Sequence, residues 1–288
     1  ARTNNTRTNN TRTNNTRTYN TRTNNTRTNN TRTNNTRTNN TRTNNTRANN
    51  RKSIGGARAV TGLDDWIGRT EQRADVLHAQ PCRFMQATLG REASLTDGDA
   101  LPPLWHWLFF LEAKPLGALG RDGHPAKGEF LPPVSLPRRM WAGGRFAFHQ
   151  PLIIGRAASK TSTIKSIAEK QGRSGPLCFV TVAHEIHQDG GLCVVEEHDI
   201  VYRADPDPAD APPKPAQAPA EAAFSEQIRP SEVMLFRYSA LTFNGHRIHY
   251  DNDYARTVEG YDGMVFPGPL TPTRLVDPSQ RHAGKTAR

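Results

Sequence analysis

The first fifty residues repeat one pentamer, Thr-Arg-Thr-Asn-Asn, with later departures at Tyr19 and Ala48. Because this segment has almost no apolar side chains, it cannot bury the surface that would offset the entropy lost on folding. We therefore predict that residues 1–52 are disordered and that any folded core comes from the remainder of the 288-residue chain. The repeat is interpreted as translated simple-sequence DNA, and a cationic arm that binds nucleic-acid phosphates is the alternative.

The net charge of +11 comes from this repeat. Outside residues 1–52, 26 basic residues stand against 27 acidic residues, so the rest of the chain is nearly neutral and gives no further reason to bind nucleic acid. No apolar run approaches the roughly 20 residues that span a bilayer, so no membrane partner is expected. Three cysteines without paired spacing favour a reducing compartment. We expect a cytoplasmic protein, with mitochondria as the alternative.

Three runs in the middle of the chain predict β-strands. Residues 161–171 alternate apolar and polar side chains, and the runs 177–187 and 192–202 flank the tripeptide Asp189-Gly190-Gly191. A glycine-containing tripeptide between two such runs is typical of a β-hairpin. The sequence therefore predicts an antiparallel sheet.

The segments around these strands indicate helices and a linker. Residues 64–77 and 83–89 have apolar side chains at helical spacing. A stretch rich in Pro and Ala, residues 204–223, is typical of an extended linker. It separates a predicted first domain, residues 63–203, from a second domain that begins at residue 224.

The motif His184-Glu185-Ile186-His187 has two histidines three positions apart. A zinc protease motif needs them four apart on a helix, whereas this segment has a strand pattern, in which such residues point to opposite faces. We predict no metal site and no cofactor here. Cys178 and Cys193, on the two arms of the hairpin, are interpreted as buried structural thiols.

Four polar side chains lie within eight residues of one another: Asn244, His246, His249 and Asp251. A strand-like run is expected to precede them and to end at Ser239. Buried polar groups need partners, so such a cluster is costly in an ordinary core and predicts a functional site. A solvated loop that carries a few histidines is the structural alternative.

This segment resembles the motif of the MaoC-like and R-specific enoyl-CoA hydratases of the hot-dog superfamily, in which an acidic residue precedes a histidine by five positions. Asn244 and His249 have that spacing, although Asn replaces the acid. The detailed form is similar to the sub-branch of mesaconyl- and itaconyl-CoA hydratases and mitochondrial 3-hydroxyacyl-thioester dehydratases. The stretches 136–144, 160–164 and 175–180 resemble the N-terminal dehydratase-like domain of that sub-branch.

The resemblance implies an α+β double hot-dog fold, in which each antiparallel sheet wraps around a central helix. After Leu270 the chain contains two prolines before residue 280 and has little apolar content. We therefore expect residues 224–270 to be the start of a truncated catalytic hot-dog domain, and residues 271–288 to be a disordered tail.

The resemblance also implies site residues for adding water to an unsaturated thioester. His249 is predicted to be the catalytic base, because an imidazole titrates near neutral pH. Asn244 is predicted to hold the water, and His246 is the reserve candidate for the base and a predicted substrate-binding residue. Backbone N–H groups at the start of a helix are expected to polarise the thioester carbonyl, which makes Gly268 and Leu270 predicted substrate-binding residues.

The sequence thus predicts a hydratase or dehydratase that acts on an enoyl-CoA such as mesaconyl- or itaconyl-CoA. The alternatives are a 3-hydroxyacyl-carrier-protein dehydratase and an inactive thioester-binding fragment. The expected partner is an acyl-CoA or acyl-carrier-protein thioester, with a homodimer as the candidate assembly. Arg138 and Arg139 are candidates for binding a phosphate or a substrate carboxylate, and solvated surface arginines are the alternative.

Overall fold

Five antiparallel strands carry much of the chain before the segment rich in Pro and Ala. The computed structural model describes residues 62–172, 175–206, 217, 221 and 225–283, so the predicted disorder of residues 1–52 lies outside the described residues. The strands are β1 (Thr70–Val76), β2 (Arg138–Phe148), β3 (Ala157–Gly172), β4 (Gly175–Gln188) and β5 (Gly191–Arg203). They form one sheet in the order β1-β3-β4-β5-β2.

The predicted hairpin between β4 and β5 is confirmed, and its turn explains its register. Asp189 and Gly190 both have positive φ, at 51° and 81°, as a two-residue turn that follows the twist of the strands requires. Gln188 consequently pairs with Gly191. The predicted strand at residues 161–171 is also present, within β3.

Four α-helices and four short 3₁₀ helices accompany the sheet in the described residues. The α-helices are α1 (Ala79–Thr88), α2 (Glu232–Leu241), α3 (Asn252–Thr257) and α4 (Leu270–Ala283). The 3₁₀ helices are Leu63–Trp66, Trp105–Leu108, Leu116–Ala118 and Arg247–His249. Ser231 caps α2 and Asp251 caps α3 through side-chain oxygens that accept backbone N–H groups. None of the described helices is long and apolar enough to cross a membrane.

One face of the sheet carries two apolar clusters with polar residues between them. The larger cluster joins the first part of the chain to the last, since it includes Leu77, Trp105, Ile186, Tyr238 and Leu270. The second includes Ile164, Val180, Val182, Ile200 and Tyr202. The segment after the linker therefore packs on the same core as the sheet, within one compact unit.

Two of the predicted elements are wrong. Residues 64–77 form a 3₁₀ turn and then β1, not a helix, because Gly68 at a φ of 87° ends the turn. The side chains of β1 then alternate between exposed and half-buried, as on a strand. The strand-like run before Ser239 is α2, whose buried residues Leu235 and Tyr238 are three positions apart, as on one face of a helix.

The expected disordered tail is also wrong as far as Ala283, because α4 begins at Leu270. Pro272 is compatible with this helix, since it lies in the first turn, where a backbone N–H has no intrahelical acceptor. All the strands of the described residues precede the linker. The division into two hot-dog domains at residues 203 and 224 stays a prediction.

Candidate active site

The predicted cluster lies in a tight turn that follows α2. The turn reverses at Phe243, with a φ of 50°, and the N–H of Asn244 donates to the Ser239 carbonyl oxygen at 2.8 Å. His246 and His249 are each only 5% exposed. The solvated-loop alternative is therefore wrong for both histidines.

The ring of His249 is held by a single backbone acceptor. Its Nδ1 lies 2.7 Å from the carbonyl oxygen of Val265. A carbonyl oxygen only accepts, so Nδ1 carries the proton and the neutral ring presents Nε2 as an acceptor. Burial lowers the pKa of His249 against the opposing effect of this hydrogen bond. The ring is therefore in the form of a base at neutral pH.

His246 lies between His249 and a third histidine, His124. Its ring centroid is 5.3 Å from that of His249 and 4.4 Å from that of His124. Burial and the charges of these two neighbours lower the pKa of His246 to about 2, so it remains neutral. Its backbone N–H donates to Oδ1 of Asn244 at 3.0 Å. Asn244 thus shapes the turn through its oxygen, which an Asp in the family motif could also do.

Two glycines let a loop, residues 120–125, contact this turn. A Cβ atom at Gly123 would overlap the carbonyl oxygen of Gly245, and one at Gly245 would lie 2.5 Å from the carbonyl oxygen of Gly123. The carbonyl oxygen of Asp122 also accepts the N–H of Arg247 at 2.9 Å. Backbone contacts therefore fix the loop against the histidines.

The same loop supplies a carboxylate–imidazole pair. Oδ2 of Asp122 lies 2.8 Å from Nδ1 of His124, and Oδ1 accepts the His124 N–H at 3.1 Å. Burial raises the pKa of Asp122, but the hydrogen bonds and charge of His124 and the nearby Arg139 more than offset this, so the pKa lies below its ordinary value. Burial also lowers the pKa of His124. At neutral pH we expect an ionised Asp122 beside a neutral His124.

The backbone N–H groups of Leu270 and Gly268, the two donors predicted at the start of a helix, differ in their hydrogen bonding. The N–H of Leu270 already donates to the Pro267 carbonyl oxygen at 3.0 Å, and its side chain is fully buried in the core. Gly268 donates no backbone hydrogen bond to any residue that the structure describes. A Cβ at Gly268 would lie 3.0 Å from the Trp141 ring, so a larger residue here would require the ring to shift.

The two adjacent arginines of β2, Arg138 and Arg139, have different partners. Arg138 is buried and forms an ion pair with Glu259 at 2.6 Å, so it has a structural role. Arg139 donates to the Pro125 carbonyl oxygen at 2.9 Å, next to His124. It is therefore Arg139 that lies beside the histidine cluster.

The sequence matches a family model and is similar to known relatives. The family model described as hydroxyacyl-thioester dehydratase type 2 matches residues 104–288. Mesaconyl-C(4)-CoA hydratase of Chloroflexus aurantiacus is 46% identical over 221 residues, which are 76% of this chain and 79% of the relative. The chain belongs to the hydroxyacyl-thioester dehydratase type 2 family.

Further comparisons agree with this membership. The mitochondrial hydroxyacyl-thioester dehydratase type 2 of Schizosaccharomyces pombe is 30% identical over an alignment of 237 positions that covers 70% of this chain and 77% of the relative. A solved MaoC-like dehydratase from Phytophthora capsici has a TM-score of 0.53 at 12% identity and covers 77% of this chain and 78% of its own. Another MaoC-like dehydratase has a TM-score of 0.51 at 15% identity, with 73% and 76% covered.

These findings confirm three predictions from the sequence. The chain is a hydratase or dehydratase, and its fold is the α+β hot-dog fold of the solved MaoC-like dehydratases. Membership of a thioester dehydratase family also confirms the predicted lyase class.

Sequence reasoning missed the Asp122–His124 pair of this dehydratase family member. The surrounding residues are rich in Gly and Pro, which is typical of a loop. The one available signal was Asp-Gly-His itself, in which two titratable residues flank a glycine. That signal is weak, because nothing in the sequence shows that Gly123 meets Gly245, more than a hundred positions away.

A second polar network lies on the sheet, between the two apolar clusters. The buried Glu196 accepts hydrogen bonds from the rings of His106 and Trp107, both at 3.0 Å, and lies 3.2 Å from Nδ1 of His198. Burial raises the pKa of Glu196, but the hydrogen bonds from His106 and His198 hold it well below its ordinary value. His184, which the sequence placed on a strand, bonds to Ser162 at 2.8 Å in the same region. These bonds satisfy the polar groups of this network.

Among the described residues, two sets of three have ligand atoms within 4.8 Å of one another: Asp122, His124 and His246, and His184, Glu196 and His198. Their chemistry could hold a metal ion. In each set, however, the carboxylate already pairs with a histidine of the same set. We assign no metal to either.

An open cleft of about 720 Å³ lies at the start of α1, lined by residues 78–81, Arg83, Thr96 and Asp97. None of the histidines described above lines it. The candidate site is therefore identified by its buried polar groups and not by this cleft.

Proposed function

We propose that this protein adds water to the double bond of an enoyl-CoA such as mesaconyl- or itaconyl-CoA, with His249 as the base. The hydrogen bond from Nδ1 of His249 to the Val265 carbonyl oxygen carries this proposal, because it leaves Nε2 to accept a proton from water. The relative named mesaconyl-C(4)-CoA hydratase supports the choice of substrate.

In this mechanism, His249 takes a proton from a water molecule that the Asn244 carboxamide holds. The hydroxyl adds to the β-carbon of the thioester, and His249 passes its proton to the α-carbon. The atoms of one water molecule are thereby added across the double bond. Asn244 cannot exchange a proton as an Asp would, so His249 carries both proton steps, with His246 as the reserve candidate.

Negative charge develops on the thioester oxygen during this addition and needs a donor. We assign this role to the N–H of Gly268, next to the start of α4, where the helix dipole favours negative charge. The N–H of Leu270 is engaged with Pro267. Leu270 instead supports the site by anchoring α4 in the core.

The reverse reaction, dehydration of a 3-hydroxyacyl thioester, uses the same groups. The name of the S. pombe relative favours this direction, so a 3-hydroxyacyl-carrier-protein dehydratase is the second candidate. A homodimer and a cytoplasmic location stay predictions.

The proposal is tested by following the loss of absorbance of the conjugated thioester when the purified chain is mixed with mesaconyl-C4-CoA. Itaconyl-CoA, crotonyl-CoA and a 3-hydroxyacyl-carrier-protein thioester form the comparison panel. We expect turnover of the enoyl-CoA substrates. Binding without turnover of any thioester would contradict the proposal and favour an inactive fragment.

A further inference from the structure

Arg139 and the hydroxyl of Tyr202 lie next to each other on neighbouring strands. Trp141, two positions further along β2, is half-buried, and its indole nitrogen is fully buried. We propose that these groups form a subsite for the free carboxylate of the acyl group, so that the substrate is the monothioester of a dicarboxylic acid. This inference rests on the proposed hydratase function and assigns the residues that select its substrate.

The guanidinium of Arg139 has no carboxylate partner. Within the described ranges, no Asp or Glu oxygen lies within ion-pair distance of it, and its hydrogen bond goes to the neutral carbonyl oxygen of Pro125. The nearby Asp122 uses both of its oxygens on His124. The neighbouring Arg138, by contrast, is neutralised by Glu259.

The hydroxyl of Tyr202 is a buried donor whose proton has no acceptor among the described residues. The residue is 0% exposed. Arg139 is close enough to donate a weak hydrogen bond to its oxygen, but no described residue meets the geometry of a full hydrogen bond with it. Burial raises the pKa of Tyr202 against the charge of Arg139, so the hydroxyl keeps its proton. A buried polar group left without a partner is destabilising, and a bound acceptor would satisfy it.

The indole N–H of Trp141 is a second such donor. Its Nε1 is buried and has no partner in the part of the chain that the structure describes. An indole nitrogen only donates, so the missing partner is an acceptor. Together, these groups offer one positive charge and hydrogen-bond donors, but no charged acceptor. Such a combination binds an anion.

The placement of these groups fits the reacting acyl chain. Arg139 pairs with Tyr202 in the register of β2 and β5, and it contacts Pro125, next to the His124 ring that lies 4.4 Å from His246. Trp141 packs against Gly268. The subsite therefore borders both the histidine cluster and the proposed thioester donor.

A guanidinium binds a carboxylate through two parallel hydrogen bonds, and it also binds a phosphate. The anion could thus belong to the acyl group or to the CoA moiety. Mesaconyl-C4-CoA and crotonyl-CoA share the CoA moiety, but only mesaconyl-C4-CoA has a free carboxylate. Comparing these two substrates separates the two sources.

The test measures kcat/KM of Arg139→Gln and Tyr202→Phe on both substrates, with Arg145→Gln as the control. Arg145 is an exposed arginine of the same strand. Loss of a hydrogen bond to a charged group reduces kcat/KM by about 10- to 100-fold. We expect this loss for mesaconyl-C4-CoA in both variants, with less than about threefold change on crotonyl-CoA and none in the control.

An equal loss on both substrates would overturn the carboxylate subsite and leave the hydratase proposal standing. A wild-type chain that hydrates crotonyl-CoA but not mesaconyl-C4-CoA would also overturn it. Absence of any hydration by the wild-type chain would instead refute the proposed function. Tyr202→Phe retains the packed ring, so it decides the question if Arg139→Gln does not fold.

Discussion

At the scale of single residues, the chemistry depends on the tautomer of one imidazole. The spacing of Asn244 and His249 in the sequence predicts which residues form the site, but it cannot show which nitrogen of the ring is free. The carbonyl of Val265 sets this, because it fixes the proton on Nδ1 of His249.

The buried state of His249 predicts a particular pH dependence. Its pKa lies below the ordinary value of 6.5 because burial disfavours the charged ring, and the base must be neutral to act. As the pH falls, activity is lost only when the pH passes through this lowered pKa. We therefore expect kcat/KM, which reports the free enzyme, to stay level near neutral pH and to decline below pH 6.5. If the midpoint of the acidic decline in kcat/KM lay at or above pH 6.5, it would contradict the claim that this ring is a buried and neutral base.

At the scale of elements, the site depends on a loop that the sequence leaves undefined. Residues 120–125 reach the histidine turn only because Gly123 and Gly245 bring two backbones into contact. Local patterns cannot reveal such a contact, since it joins segments that are far apart in the chain.

Gly123→Ala tests this contact. A Cβ would overlap the Gly245 carbonyl oxygen, so the loop must move and carry Asp122 and His124 away from His246. We expect a markedly lower kcat/KM and a lower melting temperature, with a loss of stability above the roughly 1–3 kcal/mol that a positive φ alone costs.

The matched control is Gly128→Ala, at a φ of +100° in the same region, where the nearest atom would lie 3.8 Å away. It should show only the cost of the positive φ. Equal effects of the two substitutions on kcat/KM would contradict the packing role of Gly123.

The helix α4 shows why the sequence wrongly predicts a disordered tail after Leu270. Two prolines and low apolar content argue against a helix, yet Pro272 lies in the first turn, and Leu270 packs in the larger apolar cluster. Tertiary packing of that kind overrides a weak local propensity.

Leu270→Ala should therefore destabilise the fold by about 2–5 kcal/mol, the usual range for a buried leucine. Leu275→Ala is the control, because this leucine of the same helix is 63% exposed and should change stability by less than about 0.5 kcal/mol. Chemical denaturation of both variants measures the difference. Similar free energies of unfolding would show that α4 is not docked through Leu270.

At the scale of the whole molecule, the candidate site is assembled from separate parts of one compact unit. β2 contributes Arg139, the loop contributes His124, and the segment after the linker contributes His249 and Gly268. The family motif and the hairpin could be predicted from the sequence because both are local. The contacts that join the sheet to the last segment could not, since they depend on which faces meet in the folded chain.

The central claim is that His249 is the base of a thioester hydratase, and the turnover of His249→Ala on mesaconyl-C4-CoA tests it most directly. We predict that kcat falls by about 10²–10⁴-fold, the usual contribution of a general base. The exposed His149, substituted as His149→Ala, should leave kcat unchanged. A His249→Ala variant with the kcat of the wild-type chain would contradict the claim.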